Sequence, residues 1–238
     1  MHSGVTVEVG LGIMTTKDRP GNAPPREPYL KGSNAAYLWG FVGTNVAVFL
    51  SLVAHRHFDS SSIADSWAHV TAKNGMMAAT IPLATIILGG VLNDATKARL
   101  VFWRWRHPLP GSRVFSELVP TDSRIDPAAL KSSIGKFPRS PQEQNALWYR
   151  LYKKHKMARS VWEAHKLYLL TRDMSAIAAL CALLFPLGIA LTGSDWRILL
   201  VYFALLATQY VFIAKAAHNY GNRFVLNVAC EESSAQPS

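Results

Sequence analysis

The sequence predicts an all-α integral membrane protein with four transmembrane helices and a basic helical segment between the second and third. Three observations carry that prediction. Four long stretches contain no charged residue, helix-capping signals punctuate the region between the second and third of them, and the positive charge of the chain collects in that same region.

Residues 1–35 read as an N-terminal segment. Met1–Met14 lacks a basic stretch before an apolar run, so it does not read as a signal peptide. "RPGNAPPREP", Arg19–Pro28, reads as a Pro-rich linker, and "VTVEV", Val5–Val9, alternates like a strand too brief to carry a fold.

The first hairpin occupies 36–93, with spans at Ala36–Ala54 and Met76–Asn93; the second occupies 174–215, with spans at Met174–Gly193 and Ile198–Ala214. Each span approaches the roughly 20 residues a helix needs to cross the hydrocarbon layer. Four buried helices of a soluble bundle are the rival explanation. A soluble helix normally keeps a charged face, and none of these does.

Between the hairpins lies a basic segment, 94–173. From Asp94 to Arg172 it carries sixteen Lys or Arg against six Asp or Glu, a net +10 that equals the formal charge of the whole chain. The loop between the first two spans holds only Arg56 and Lys73, offset by Asp59 and Asp65. Because Lys and Arg beside spans are retained in the cytoplasm, the basic segment and both termini are expected there, with the first loop and "TGSDW" outside.

Within that segment, "DPAALKSSIG" offers Asp126 as N-cap, Pro127 at the first helical position and Gly135 as a stop. "SPQE" then opens a longer helix with Ser140 as cap and Glu143 three residues on. No proline follows until Pro186, so this helix is expected to run unbroken into the third span, with Leu147, Leu151, Ala158, Val161, Trp162, His165 and Leu169 near one face. "GSRVFS" reads as a turn. Residues 216–238 are expected to continue the fourth span as an amphipathic helix and tail.

Two basic stretches are candidates for ligand binding. In "FWRWRHPLPGSR", Trp103 and Trp105 alternate with Arg104 and Arg106, and Arg113 follows. Aromatic rings with arginines suit the headgroup layer of a membrane, and equally a platform that stacks bases and grips phosphates. In "YRLYKKHKMAR", Arg150, Lys153, Lys154, Lys156 and Arg159 concentrate positive field over three turns. Their ligand is an anion, either a nucleotide oligomer or an anionic lipid headgroup.

No metal or cofactor is expected. His55 and His57, with Asp59 nearby, lack a fourth partner at ligand spacing; His155 and His165 lie ten residues apart; Cys181 and Cys230 suggest neither a disulfide framework nor a zinc site. An enzyme is not expected either. The chain lacks a Gly-rich phosphate loop, an H-E-x-x-H pair and a nucleophile elbow, and spans without carboxylates argue against an intramembrane hydrolase or proton-coupled carrier.

The spans do contain mild polarity. Asn45, Thr80, Thr85, Thr208 and Gln209 are pore-lining candidates, although residues of these types, like Gly40, Gly43, Gly89 and Gly90, also serve helix packing. Four helices cannot enclose a wide path, so conduction requires a homo-oligomer, with a tetramer as the expected assembly.

Two spans, a basic segment with "RWRHPLPG", a helix with "QNALWYRLYKKH", two more spans and a tail with "GNRFV" together resemble the small membrane effectors of bacterial anti-phage defence, of the Hailong type. The resemblance is one of layout and covers Ala36–Ala229. It implies an oligomeric ion channel of the bacterial inner membrane that depolarises the cell and aborts infection. It also implies a partner nucleotidyltransferase and control by a nucleotide or single-stranded DNA oligomer. The alternative is a non-conducting scaffold whose basic segment binds anionic lipid or a protein partner.

Overall fold

The computed structural model describes residues 30–55, 72–191 and 195–235. Every regular element among them is helical: α1 (Leu30–His55), α2 (Ala72–Val91), α3 (Asp94–Phe102), α4 (Pro127–Ile134), α5 (Pro141–His155), α6 (Arg159–Ala190) and α7 (Trp196–Ser234). "VTVEV", the Pro-rich linker, His57 and most of "TGSDW" lie outside the described residues.

Among the described residues three helices are long and apolar enough to cross a membrane, at Asn34–Val53, Arg159–Ala190 and Trp196–Ser234. The apolar part of α2, Pro82–Val91, is shorter. Exposed Leu183, Leu187, Leu200, Phe203 and Phe212 give this end of the molecule an apolar exterior, as lipid-facing helices require.

The frame of the fold is the antiparallel pair α6 and α7. Asn227 Nδ2 donates to the Ser160 carbonyl at 2.8 Å, the Phe224 ring stacks on His165 at 4.3 Å, and Gly221 faces Tyr168. A methyl group at Gly221 would lie 2.7 Å from Phe102 and 2.9 Å from Tyr168, so only glycine lets α3 and α6 approach α7 this closely.

At about 1.5 Å per residue, α6 and α7 extend roughly 48 and 58 Å, well beyond a hydrocarbon layer of about 30 Å. They consequently serve two cores. Near their connection, Phe49, Cys181, Phe185, Ile189, Tyr202 and Leu206 pack between α1, α6 and α7. At the far end, Val161, Ala164 and Tyr168 of α6 and Phe224, Val225 and Val228 of α7 are buried with Phe102, Phe115, Leu130 and Trp148 from 94–155. Residues 216–235, expected to continue the fourth apolar run as an amphipathic helix, bury one face in the core of the basic module.

Helix direction is fixed by the side chains that meet. Asn34 Nδ2 donates to the Lys166 carbonyl at 2.9 Å while Phe49 meets Phe185 at 4.7 Å, so α1 runs parallel to α6. Gly89 of α2 sits beside Ile177 and Lys97 of α3 reaches Asp173 at 3.1 Å. The His55 end of α1, the Ala72 end of α2 and the α6–α7 connection thus all lie away from the module.

Local signals explain the module's shorter elements. Asp126 accepts from the Ala128 amide at 2.7 Å with Pro127 behind it, and Gly135 ends α4 at φ +78°. Ser140 Oγ accepts from the Glu143 amide at 3.3 Å and opens α5. "GSRVFS" winds into 3₁₀ and π turns over 110–118 rather than an open turn. Gln144, buried, holds that coil in place by accepting from the Phe115 and Ser116 amides at 3.1 and 3.2 Å.

One expectation is corrected. The helix opened by Ser140 does not continue into the membrane: it ends at His155, and α6 starts at Arg159 after Ala158 takes extended angles, φ −63° and ψ 132°. The break lets α5 turn back so that Trp148 and Leu151 bury against α7.

Glu232 secures the returned helix. It accepts from Lys154 Nζ at 2.9 Å, from His155 and from Ser133. Burial alone would raise its carboxyl, but the hydrogen bonds from Lys154, Ser133 and His155 outweigh that and hold it at about 2. The site is some eighteen residues past Ala214, outside any bilayer-length part of α7. A depressed carboxyl contributes stability that is present above its ordinary value of 4.5 and is lost as pH falls toward 2. After discounting for the exposed Lys154, this amounts to about 1–2 kcal/mol. Thermal melting in detergent between pH 6 and pH 3 should show a steeper loss in the native chain than in Glu232→Gln; parallel curves would remove Glu232 from that role.

Candidate anion-binding groove

The ten residues proposed to hold an anion do not form one surface. Arg113 is buried: its guanidinium lies 4.9 Å over the Phe102 ring, donates to Asn222 at 3.2 Å and approaches Glu117 at 3.5 Å. Burial, reinforced by the nearby Arg104 charge, lowers its affinity for the proton. Arg104 is exposed but engaged by both oxygens of Glu117, at 3.1 and 2.9 Å. Lys154 is engaged by Glu232, and Arg159 by Glu163 at 2.7 Å. Lys156 is half-buried in the break between α5 and α6. Trp103 and Trp105 stand exposed on the segment after α3, with Arg106 beside them.

That leaves Arg106, Arg150 and Lys153 exposed and without an ion pair among the described residues. Arg150 belongs to a concavity of the module, about 880 Å³, where it is joined by Lys136, Phe137, Arg139, Glu143 and Tyr149. Two local features build this groove. Gly135, in a backbone conformation that other residues avoid, sends Lys136–Arg139 back across the start of α5. Glu143, Ala146, Tyr149 and Arg150 then present one helical face at spacings of three and four.

The groove's rings are backed by packing and flanked by cations. Phe137 lies 5.3 Å from Phe115 and has Lys131 over its face at 5.4 Å; Tyr149 has Lys153 over its face at 4.9 Å. Lys131, Lys136, Arg139, Arg150 and Lys153 make no ion pair among the described residues, and Glu143 is the one carboxylate in the lining. Free cations beside aromatic faces can hold phosphates and stack planar groups together.

Sequence reasoning placed Arg150 and Lys153 here but missed Lys136, Arg139 and Tyr149. Tyr149 lies inside the quoted "YRLYKKHKMAR"; Lys136 and Arg139 gave no periodic signal because they sit in a Gly- and Pro-bounded loop.

The pore candidates separate as well. Asn45 and Thr85 are buried in the packing of α1 and α2, Asn45 donating to the Phe41 carbonyl at 2.9 Å. Thr80 and Thr208 are exposed, and Gln209 is half-buried with Oε1 unpartnered. Among the described residues, no three His, Cys, Asp or Glu side chains converge as a metal site.

Comparison with protein-family models, curated proteins and solved structures finds no match for the chain.

Proposed function

We propose that the chain is a gated membrane effector whose basic module takes up a nucleotide or single-stranded DNA oligomer and controls ion flow through a homo-oligomeric channel. The observation that carries this reading is the membership of α6 and α7 in both cores. A ligand that favours one arrangement of the module thereby favours one arrangement of the membrane-spanning helices, which is the differential contact a gate requires.

The ion network at the boundary supports such coupling. Arg172, buried, pairs with Asp94 at 3.1 Å and Asp173 at 3.2 Å, while Lys97 meets the same Asp173, so α3 is pinned to α6 where the two cores adjoin. In this reading α2 also crosses the membrane, bringing the spans to four, and the module and the start of α1 share the cytoplasmic side. Ala36, Gly40, Gly43, Thr44 and Ala47 form an exposed face of small residues on α1 that suits close approach of a second copy. The likeness in layout to anti-phage effectors extends the proposal to membrane depolarisation under the control of a partner nucleotidyltransferase.

Liposomes loaded with potassium and containing the purified chain should lose their membrane potential, and added deoxynucleotide oligomer should change the rate of loss. Retained oligomer binding with no ion flow in any condition would replace the channel by a non-conducting scaffold.

A further inference from the structure

A second cavity, which shares no lining residue with the groove, lies beside α3 and α7. It encloses about 360 Å³, and Arg99, Leu100, Trp103, Arg104, Trp105 and Tyr210 form most of its wall. We propose that it is a specific site for the headgroup of an anionic glycerophospholipid, with the phosphate on Arg99 and one acyl chain descending along α7.

Backbone strain and hydrogen bonding hold this wall in place. Trp103 caps α3 in the left-handed region at φ +50°, and its amide donates to the Arg99 carbonyl at 2.9 Å. A bulky residue adopts that conformation only where its surroundings impose it. Here Trp103 Nε1 donates to Tyr210 Oη at 3.1 Å, and Tyr210 Oη donates to the Leu100 carbonyl at 2.8 Å. Arg99 Nε donates to the Trp105 carbonyl at 3.3 Å, folding the strand of aromatic residues back over α3. The Trp105 ring stays 84% exposed, which water disfavours and a headgroup layer accepts.

The charges match a phosphodiester. Arg99 spends Nε on Trp105 and makes no ion pair among the described residues, so its terminal nitrogens are free to fork a phosphate. Arg104 adds positive field while its own donors stay on Glu117. Among the described residues none that lines the cavity is acidic.

The level on α7 separates a lipid from a soluble anion. From Ile198 to Phe212 the exposed residues of this helix are apolar apart from Thr208, and they then become polar or charged at Lys215, Asn219 and Arg223. Tyr210 sits at that change. Phe203, seven residues earlier and half-exposed, lies on the same helical face about 10 Å deeper, where an acyl chain would run.

Native mass spectrometry of the full chain in detergent, offered equal amounts of phosphatidylglycerol and phosphatidylcholine, tests the site. Phosphatidylglycerol should be retained preferentially. Arg99→Gln should reduce that adduct about tenfold, the loss of one charge-assisted contact. Arg99→Lys should keep most of it, and Arg150→Gln in the groove should leave it unchanged. Equal retention of the two lipids, or an unaltered adduct in Arg99→Gln, overturns the proposal. Displacement of the lipid by sn-glycerol 3-phosphate at equal concentration also overturns it, by assigning the cavity to a soluble phosphate. The inference rests on the membrane reading, and retention of the same variants in carbonate-washed membranes reports on that premise separately.

Discussion

Replacing Trp148 with alanine is expected to destabilise the basic module by about 3–5 kcal/mol, a large share of the stability of an ordinary domain. Trp148 joins three elements at once. Its Nε1 donates to the Val225 carbonyl of α7 at 3.3 Å, its ring meets Phe224 edge-on at 5.3 Å, and it stacks on Tyr152 at 5.7 Å. On its other face the coil after α3 approaches so closely that a methyl group at Gly111 would come within 2.9 Å of the indole. Truncation removes the indole contacts, leaves a cavity and orphans a carbonyl. Thermal unfolding in detergent should fall well below that of Trp105→Ala, whose ring is exposed; equal melting temperatures would show that Trp148 is not the joint described.

The second large effect is expected from neutralising Lys136, Arg139 and Arg150 together as glutamines. All three belong to the groove and none has a carboxylate partner among the described residues, so the fold loses little. If each contributes about 1 kcal/mol of contact with phosphate, oligonucleotide affinity drops about 100-fold at low salt. The dependence of log affinity on log salt should also flatten by about 2, since each phosphate contact on a single strand contributes about 0.7. Fluorescence anisotropy with labelled oligodeoxythymidylate measures both quantities. As a control, Arg104→Gln should produce a smaller change because Glu117 already engages that guanidinium. An unchanged salt slope in the triple variant would move the nucleic-acid site elsewhere or abolish it.

What the sequence made legible is local. Uncharged runs marked the apolar helices, and Asp126, Pro127, Gly135 and Ser140 marked the ends of α4 and the start of α5, because a cap is decided by residues within one turn of it. Continuation of the fourth apolar run into a long helix was legible for the same reason. The break at 156–158 was not, since "KMA" contains neither proline nor glycine; it is imposed by the burial of Trp148 and Leu151 against a helix more than seventy residues away.

The candidate site was legible in part. Counting cations located the basic module, but charge does not distinguish Arg104, held by Glu117, from Arg150, which makes no ion pair among the described residues. Nor did it show that Arg113 would be drawn beneath the surface onto Phe102. Pairing across 13 or 78 positions depends on tertiary packing, and the groove emerges only once α4, its loop and α5 are placed together.

Because Phe224, Val225 and Val228 supply the centre of the module's core, residues 94–155 cannot close around it while those positions are still inside the ribosome. The apolar stretches of α1, α2 and α6 all precede that part of α7 in the chain, so they leave the ribosome first and the core of the module closes last. During biosynthesis the basic segment thus waits, incomplete, for the end of α7, and a chain cut short of Phe224 would lack the centre of the module's core.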